Sequence, residues 1–373
     1  MPSDNVFQIC VLPGDGIGTE VTGAAVEVLT ATCGRSGQFA LNFKYHAAGA
    51  ELYLERGVAM PDDSWRGAEE ADAIFLGAMG LPRVRYDDGT EITPQLDLRF
   101  RFDLYAGVRP VSASRGGPPV LKDSRANDVD FVLVRESTEG LFASCGKGEI
   151  IGDREARDTL VITRERSKQV FEFAFELARN RASDGKTSKV TLVDKANVFS
   201  SMAFFRKVFD EVANAYPDIE TERLYVDACA LDLVRRPWEF DVLVTENMFG
   251  DILSDLGPAC TGTIAIAPSA NMNPEKAHPS MFEPVHGSAP DITGKGIANP
   301  IAAIWSAAMM CEHLGEDTAS SRLMAAIVEV ARDGKVLAPD LGGDADTDAV
   351  TDAIIAAIRR DDLELKSSAQ TSR

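Results

Sequence analysis

Short apolar runs alternate with longer segments of helical periodicity along most of the chain. The run "FQICVLPGDGIG" is typical of a buried strand that ends in a glycine turn, and in the following "TEVTGAAVEVLTATC" the apolar residues recur at helical spacing. Further strands are predicted at "ADAIFLGAMG", "DVDFVLVRE", "KVTLVDKAN" and "FDVLVTE". Further helices are predicted at "RSKQVFEFAFELARNR", "SSMAFFRKVFDEVANAYP", "NPIAAIWSAAMMCEHLG" and "SSRLMAAIVEVARDGK". Strands that alternate with helices predict an α/β fold.

One segment, "STEGLFASCGKGEIIGDREARDTLVITRER", interrupts this alternation. It is rich in glycine at first, then charged, and then strand-like. A hairpin on the surface is one interpretation, and an arm that pairs with a second subunit is the other. The residues leave both open.

Length and composition allow a large core and argue against nucleic acid as a partner. The chain has 373 residues, of which 45% are hydrophobic, so it can form two lobes or one large domain. Its net charge of -20 repels phosphate backbones, so we expect no nucleic-acid partner. The same charge repels small anionic substrates unless a local basic cluster reverses it.

The cysteines and the apolar runs indicate a cytoplasmic protein. None of the six cysteines has C-x-x-C spacing, so neither a zinc site nor a redox dithiol is predicted, and scattered thiols are typical of a reducing compartment. The N-terminus "MPSDNVFQICVLPGDG" lacks the basic and apolar regions of a signal peptide. The longest apolar runs are too short to span a bilayer, and we expect no membrane partner.

Arginines near predicted strand and loop ends supply a candidate basic cluster. The run "LDLRFRFDLYAGVRP" carries Arg99, Arg101 and Arg109, and "FVLVRES" adds Arg135. Arginines on a solvated surface are the ordinary explanation. Guanidinium groups also bind carboxylates in bidentate fashion, so the cluster favours a substrate with two or more carboxylates.

Two carboxylates in "VTENMFGDILSDLG" are the candidate metal ligands. Asp251 and Asp255 lie four residues apart, where like charges on one helical face repel. Asp227 in "YVDACALDL" adds a third carboxylate at a strand end, and a divalent cation with oxygen ligands would remove the repulsion. The alternative is stabilisation by a helix N-terminus, which explains Asp251 better than Asp255.

Two shorter motifs each have a functional and a structural interpretation. Lys195 in "VDKANV" follows a buried strand and is either a proton shuttle or a surface lysine. The run "LPGDGIGTE" has G-x-G-x-G spacing instead of G-x-G-x-x-G, which favours a tight strand-to-helix turn over a dinucleotide-binding fingerprint.

The most distinctive run is "EPVHGSAPDITGKGIANP", residues 283 to 300. It is polar, contains His286 and two glycine turns, and is long for a loop without function. It could wrap an adenosine, with Asp291 on the ribose hydroxyls and Asn299 on the base edge. A structural capping loop is the alternative.

Four motifs in this order resemble the isocitrate and 3-isopropylmalate dehydrogenase family of β-decarboxylating hydroxy-acid dehydrogenases. They are "LPGDGIG", "DKANV", "FGDILSD" and "EPVHGSAPDITGKGIANP", and the resemblance covers roughly residues 6–355. It implies an isopropylmalate-dehydrogenase-like two-lobed α/β fold, not a Rossmann fold. The cofactor-binding lobe would comprise residues 1–104 and 262–373. Residues 105–261 would form the lobe for substrate, metal and dimerisation, with a β arm at about 140–165 in the dimer interface.

The resemblance also implies roles for individual residues. The substrate-binding residues would be Arg99, Arg109, Arg135, Gln95 and Leu96. The ligands of Mg²⁺ or Mn²⁺ would be Asp227, Asp251 and Asp255. The protein would be a homodimer with shared active sites, in which Lys195 and Asp227 enter from the second subunit. Lys195 would then belong to the acid–base relay.

The resemblance assigns the polar loop to NAD. The cofactor-binding residues would be His286, Gly287, Ser288, Ala289, Pro290, Asp291 and Asn299. Asp291 favours NAD over NADP, because a carboxylate accepts hydrogen bonds from ribose hydroxyls and repels a 2′-phosphate.

The implied reaction has three steps, and the chain departs from the family at the last of them. Hydride leaves C2 of a (2R)-malate-type acid, CO₂ then leaves from the ketone that a divalent metal polarises, and the enol carbon is finally protonated. Phe142 stands where the family usually has the tyrosine credited with this protonation. We hypothesise that water, Ser144, Tyr105 or another nearby group replaces it.

Alternatives stay open both for the substrate and for the activity itself. "EITPQLDLR" places Gln95 and Leu96 where substrate specificity is chosen, which fits neither the isocitrate nor the isopropylmalate pattern. The polar Gln95 weakens the 3-isopropylmalate interpretation and leaves D-malate, tartrate or another substituted malate. Phe142 also fits a non-catalytic regulatory subunit, or oxidation without decarboxylation. Lys195 together with the three aspartates favours catalysis.

Overall fold

A mixed sheet of ten strands runs through the computed structural model, which describes residues 5–36, 38–113, 120–360 and 363. The described residues form these ten strands and a separate pair, β6 and β7. In chain order, the strands are β1 (Asn5–Gly14), β2 (Phe39–Tyr45), β3 (Ala73–Ala78), β4 (Ala106–Ser112), β5 (Asp130–Glu136), β6 (Glu149–Ile151), β7 (Glu155–Arg157), β8 (Lys189–Asp194), β9 (Glu220–Tyr225), β10 (Val242–Thr245), β11 (Pro268–Met272) and β12 (Ser280–Pro284). The helices are α1 (Gly18–Ser36), α2 (Ala50–Arg56), α3 (Asp62–Glu69), α4 (Pro94–Arg101), α5 (Arg164–Ser183), α6 (Ser200–Ala213), α7 (Val226–Arg235), α8 (Asn247–Thr261), α9 (Ile301–His313), α10 (Asp317–Asp333) and α11 (Thr347–Arg359).

The two halves of the sheet come from different parts of the chain. The strand order is β2-β1-β3-β12-β11-β4-β5-β10-β8-β9, so strands near both ends of the chain form one half and strands from its middle form the other. β4 pairs antiparallel with β5 and with β11, and β11 pairs antiparallel with β12. The predicted lobe limits, at residues 104–105 and 261–262, stay a prediction.

The strands and helices predicted from periodicity are all present. β3 and β4 are buried along their whole length, as expected of central strands covered on both faces. α9 is also buried at every position, which suits a helix that is apolar all round. Between α5 and α6, the ring of Phe171 lies 4.5 Å from that of Phe205 and 5.2 Å from that of Phe209. Among the residues that the structure describes, no helix combines the length and apolarity needed to cross a bilayer.

The turn from β1 to α1 is the tight glycine turn that the sequence predicted. Gly14 and Gly16 have φ of 74° and 58°, a region that side chains with a Cβ rarely adopt. A Cβ on Gly16 would lie 2.1 Å from the carbonyl oxygen of Ser288, and Ile17 donates its backbone N–H to the same oxygen over 2.9 Å. The glycines therefore let the loop after β12 approach this turn.

The segment that interrupts the alternation contains a separate hairpin. β6 and β7 pair antiparallel, with Ile150 opposite Ala156, and all six of their residues are exposed. The hairpin is thus present on the surface, whereas its pairing with a second subunit stays a prediction.

Candidate active site

A cavity of about 190 Å³ lies where the two halves of the sheet meet. Its walls come from the ends of β3 and β12, from α4, β4 and β5, and from α8. A larger cleft of about 390 Å³ lies elsewhere, beside Lys276 and His313, and holds none of the predicted site residues. The smaller cavity is therefore the candidate active site.

Three arginines give this cavity a positive wall. Arg99 on α4, Arg109 on β4 and Arg135 on β5 are only 7%, 4% and 3% exposed. Burial, and then the charges of the neighbouring arginines, lower the pKa of Arg109 to about 9; burial and the charge of Arg99 lower that of Arg135 to about 10. The structure brings together the three arginines that the family resemblance selected. Arg101 instead lies 4.8 Å over the ring of Trp65, outside the cavity.

Arg99 and Arg109 are held from the β11–β12 side. Arg99 donates from Nη2 to Oε1 of Glu283 over 2.9 Å. Arg109 donates from Nη2 to Oδ1 of Asn271 and from Nη1 to the carbonyl oxygen of Ala270, both over 3.0 Å. Asn271 in turn donates from Nδ2 to Oε1 of Glu283 over 2.6 Å. One carboxylate and one carboxamide therefore connect the two guanidinium groups.

Arg135 is held from α8. It donates from Nε and Nη2 to Oδ1 of Asn247, over 2.9 Å and 2.7 Å, and pairs with Asp251 through Nη1. A Cβ on Gly250 would lie 2.6 Å from Cγ of Arg135, so only glycine leaves room for this side chain. The guanidinium carbon lies 5.0 Å from the centroid of the Phe142 ring.

Two buried polar atoms belong to residues of α4 that line the cavity. In the described ranges, Nε of Arg99 and Oε1 of Gln95 are buried without a hydrogen-bond partner. Each buried polar atom left in this state costs about 1–3 kcal/mol, so a polar ligand in the cavity would be favoured. Both residues line the cavity, whereas Leu96 does not.

Asp251 and Asp255 lie beyond the first turn of α8. The helix begins at Asn247, and Glu246 caps it by accepting the backbone N–H groups of Phe249 over 2.7 Å and Met248 over 3.1 Å. The alternative that the two aspartates are explained by a helix N-terminus is therefore wrong, because Glu246 fills that position.

The two aspartates form an acidic wall opposite in charge to the arginines. Both line the cavity. Desolvation and the charge of Asp251 raise the pKa of Asp255. A pair of carboxylates that repel each other beside a cavity fits a divalent cation with oxygen ligands.

Lys195 and Asp227 form a pair away from this cavity. Nζ of Lys195, just after β8, bonds the carboxylate of Asp227 in the first turn of α7, and this bond lowers the pKa of Asp227. Within the described part of the chain, no three acidic, histidine or cysteine side chains are grouped to hold a metal. A single chain thus does not assemble the predicted ligand set. The implied entry of Lys195 and Asp227 from a second subunit stays a prediction.

The loop after β12 begins at the cavity. His286 and Gly287 line it. Nδ1 of His286 lies 3.0 Å from the carbonyl oxygen of Gly287, and Nε2 is buried without a partner among the described residues. Burial lowers the pKa of His286, so the ring is mainly neutral at pH 7. A neutral imidazole with an unpartnered nitrogen can form one further hydrogen bond in the cavity.

The rest of the loop divides between surface and core. Ser288 is buried against the glycine turn, whereas Pro290 and Asp291 are exposed. Asn299 is buried, donates from Nδ2 to the carboxylate of Asp340 at 3.1–3.2 Å, and accepts the N–H of Ile301 over 3.0 Å at the start of α9. Asn299 therefore has a structural role at the start of α9, whereas its contact with the base edge of a cofactor stays a prediction.

Comparison with known proteins decides the family. The profile described as isocitrate/isopropylmalate dehydrogenase matches residues 8–358. The chain belongs to this family. Its members include relatives with high identity and a solved structure with a closely similar fold.

Two relatives and one solved structure of the isocitrate/isopropylmalate dehydrogenase family are similar over nearly the whole chain. A decarboxylating D-malate dehydrogenase of Escherichia coli is 43% identical over 364 residues, 95% of this chain and 99% of that protein. A probable tartrate dehydrogenase/decarboxylase of Agrobacterium vitis is 40% identical over 357 residues, 94% of this chain and 96% of that protein. An isocitrate dehydrogenase structure from Methylococcus capsulatus has a TM-score of 0.83 at 38% identity, covering 95% of this chain and all of that one. The predicted family and two-lobed fold are confirmed.

Phe142, which the resemblance places at the family's usual tyrosine position, lies on a short 3₁₀ helix, Leu141–Ser144. The two side chains suggested as replacements are engaged elsewhere. Ser144 donates from Oγ to the carbonyl oxygen of Thr159 over 2.7 Å, and the hydroxyl of Tyr105 donates to Glu275 over 2.8 Å. Neither lines the cavity, so water or another nearby group stays the prediction.

Sequence reasoning missed the residues that hold the arginines. They are Asn247, Asn271 and Glu283. Asn271 lies in the buried five-residue strand β11, and a polar side chain there needs a partner. That signal was present in "PSANM" but could not identify the partner, which is distant in sequence.

Proposed function

We propose that the protein is an NAD- and divalent-metal-dependent enzyme that oxidises and decarboxylates a (2R)-malate-type 2-hydroxy acid. Family membership and the names of the tartrate and D-malate relatives support a decarboxylating dehydrogenase acting on a hydroxy acid. The observation that carries the proposal is the cavity with three buried guanidinium groups and, on its α8 side, the carboxylates of Asp251 and Asp255. A polycarboxylate with its divalent cation matches that distribution of charge.

The residues of the chain would bind and orient the substrate. Arg99, Arg109 and Arg135 bind its carboxylates, and their burial strengthens each ion pair relative to one in water. Asp251 and Asp255 hold Mg²⁺ or Mn²⁺ on the opposite wall. When bound, NAD would accept the hydride from C2 and the metal would polarise the resulting ketone.

Lys195 would move the hydroxyl proton across a subunit interface. Two apolar side chains that follow Lys195 are exposed, Val198 at 60% and Phe199 at 52%, and so is Ile252, at 58%, on α8 beside the cavity. Exposed apolar groups of this size favour a homodimer that covers them and brings Lys195 of one subunit to the aspartates of the other.

The loop of residues 285–300 would bind NAD. Among the described residues, Nε2 of His286 is buried and has no hydrogen-bond partner. The exposed Asp291 can accept hydrogen bonds from ribose hydroxyls and would repel a 2′-phosphate. A cytoplasmic location fits the six cysteines, all in the described ranges and all free thiols. We propose no nucleic-acid or membrane partner, on the negative charge.

Gln95 favours tartrate or D-malate over 3-isopropylmalate. Its carboxamide lines the cavity, and Oε1 has no partner among the described residues. The second hydroxyl of tartrate can donate to or accept from either end of a carboxamide, and D-malate leaves room for a water. An isopropyl group does neither and leaves the amide unpaired.

The test is NADH and CO₂ formation by the purified protein with Mn²⁺. The panel comprises D-malate, the tartrates, 3-isopropylmalate, isocitrate and homoisocitrate, each with and without a chelator. We expect chelator-sensitive NADH formation with D-malate or a tartrate, matched by CO₂ and restored when excess Mn²⁺ is added.

Two other outcomes would replace the proposal. NADH without matching CO₂ would establish oxidation without decarboxylation. Binding of NAD and acid without turnover of any acid would establish a regulatory subunit.

A further inference from the structure

Asn271 and Glu283 lie on the same face of the β11–β12 pair, next to two arginines of the site. Glu283 lies opposite Ser269, and Asn271 is two residues further along β11. Side chains two apart on a strand point to the same face, so the carboxamide and the carboxylate are diagonal neighbours. Both residues are buried, and Glu283 lines the cavity whereas Asn271 does not.

A chain of hydrogen bonds, the arginine relay, runs from Arg99 through Glu283 and Asn271 to Arg109. Its three distances are 2.9 Å, 2.6 Å and 3.0 Å. Asn271 has to donate on one side and accept on the other, and a carboxamide does this with two different atoms. A carboxylate or an ammonium at residue 271 could satisfy one neighbour only.

The relay holds two cations that repel each other. Burial is the main reason that the pKa of Arg109 is low; the charge of Arg99 lowers it further, and the charge of Glu283 raises it. Glu283 thus supplies the compensating negative charge. Asn271 fixes the distance between this carboxylate and Arg109.

We propose that Asn271 is a positioning residue for the substrate carboxylates. It acts through Arg99 and Arg109, which line the cavity while Asn271 lies behind them. Because both guanidinium groups are aligned before the substrate arrives, binding does not have to order them. The inference rests on the proposed function, since the ligand of both arginines is taken to be a dicarboxylate.

The test exchanges donor and acceptor within the relay. Asn271→Asp keeps the acceptor for Arg109 but sets a second carboxylate against Glu283, so we expect the Kd for D-malate and the KM of the preferred acid to rise about 10- to 100-fold, with a smaller change in kcat. Glu283→Gln removes the compensating charge and should also weaken binding. The double variant Asn271→Asp/Glu283→Gln reverses the central hydrogen bond and keeps one negative charge, so it should recover most of the lost affinity.

Asn273→Asp is the matched control. Asn273 is buried just after β11, donates from Nδ2 to the carbonyl oxygen of Asp103 over 3.1 Å and accepts the N–H of Ala277 over 2.9 Å, but does not line the cavity. Asn273→Asp loses a buried hydrogen bond comparable to the one that Asn271→Asp loses, but it should leave Kd and KM unchanged. Thermal melting of every variant separates loss of folding from loss of affinity.

The Kd of each variant is measured by calorimetric titration with D-malate and the other acids of the panel. An unchanged Kd in folded Asn271→Asp, or a double variant that binds no better than Glu283→Gln alone, overturns the relay. The second comparison holds even if Asn271→Asp does not fold. A parent chain that binds no acid of the panel overturns the proposed function and the relay with it.

Discussion

At the scale of single residues, three buried polar atoms without hydrogen-bond partners in the described ranges belong to residues that line the same cavity as the arginines. Nε of Arg99, Oε1 of Gln95 and Nε2 of His286 are buried and lack partners in the described part of the chain. Each costs about 1–3 kcal/mol, a noticeable share of the 5–15 kcal/mol by which a folded protein is stable. All three line one cavity, so a single bound ligand and cofactor could satisfy them together.

Phe142→Tyr should raise the ratio of CO₂ released to NADH formed. The ring already lies 5.0 Å from the Arg135 guanidinium, so a phenol would bring an acidic proton to the substrate's carboxylate pocket. General acid catalysis contributes about 10²–10⁴-fold, and we expect at least a tenfold faster decarboxylation step in single-turnover measurements.

Phe204→Tyr is the control for that substitution. Its ring also lies near an arginine, 5.4 Å from Arg164, but Arg164, unlike Arg135, does not line the cavity. The hypothesis that a proton donor is missing fails if Phe142→Tyr changes no step, or if both variants change the rate alike.

The sequence predicted the arginines and aspartates of the site, but not the groups that hold them. Arg99, Arg109 and Arg135 were selected because family motifs mark their positions. Asn271 and Glu283 touch them only because two strands from far along the chain pair beside β4 and β3. Contacts of that kind depend on strand order, which periodicity does not contain.

At the scale of elements, α8 shows how one helix positions charged side chains. Its cap is the buried Glu246, which accepts two backbone N–H groups, and its first turns carry Asn247, Gly250 and Asp251 against Arg135. Periodicity predicted β10 before this helix and the apolar face of the helix itself. It missed the cap, because a glutamate is a less usual capping residue than serine, threonine, aspartate or asparagine.

Glu246→Ala should destabilise the protein by about 1–2 kcal/mol and also weaken activity, because the start of α8 loses its cap where it holds Asn247 and Asp251. Denaturant unfolding and the KM for Mn²⁺ measure the two effects. Asp346→Ala is matched, since Asp346 caps α11 by accepting the N–H of Ala349 over 2.7 Å, remote from the cavity. Equal loss of metal affinity in both variants would refute a local role for the Glu246 cap.

At the scale of the whole molecule, one chain does not bring all of the predicted site residues together. Asp251 and Asp255 line the cavity, while Lys195 and Asp227 pair beside exposed apolar side chains elsewhere. Composition and periodicity could not predict a site shared by two subunits, because they carry no information about a surface between two chains. The resemblance alone predicted it.

Mixing Lys195→Ala with Asp255→Asn should restore activity that neither variant has alone. A mixed dimer of two-fold symmetry would contain one site with both intact contributions. Random subunit exchange makes about half of the dimers mixed with one working site each, so about a quarter of parent activity is expected. Mixing Lys195→Ala with the double variant Lys195→Ala/Asp255→Asn is the control. If neither mixture is active, Lys195 and Asp255 of one subunit serve the same site.

The close approach of Gly16 to Ser288 has a consequence for synthesis of the chain. The loop of residues 285–300 rests on a turn made some 270 residues earlier, and β12 enters the sheet beside β3. A ribosome therefore exposes β1, β2 and β3 long before the strand that completes them is made. Such late partners slow folding and leave unpaired edges, so this half of the sheet is where nascent chains would need a chaperone.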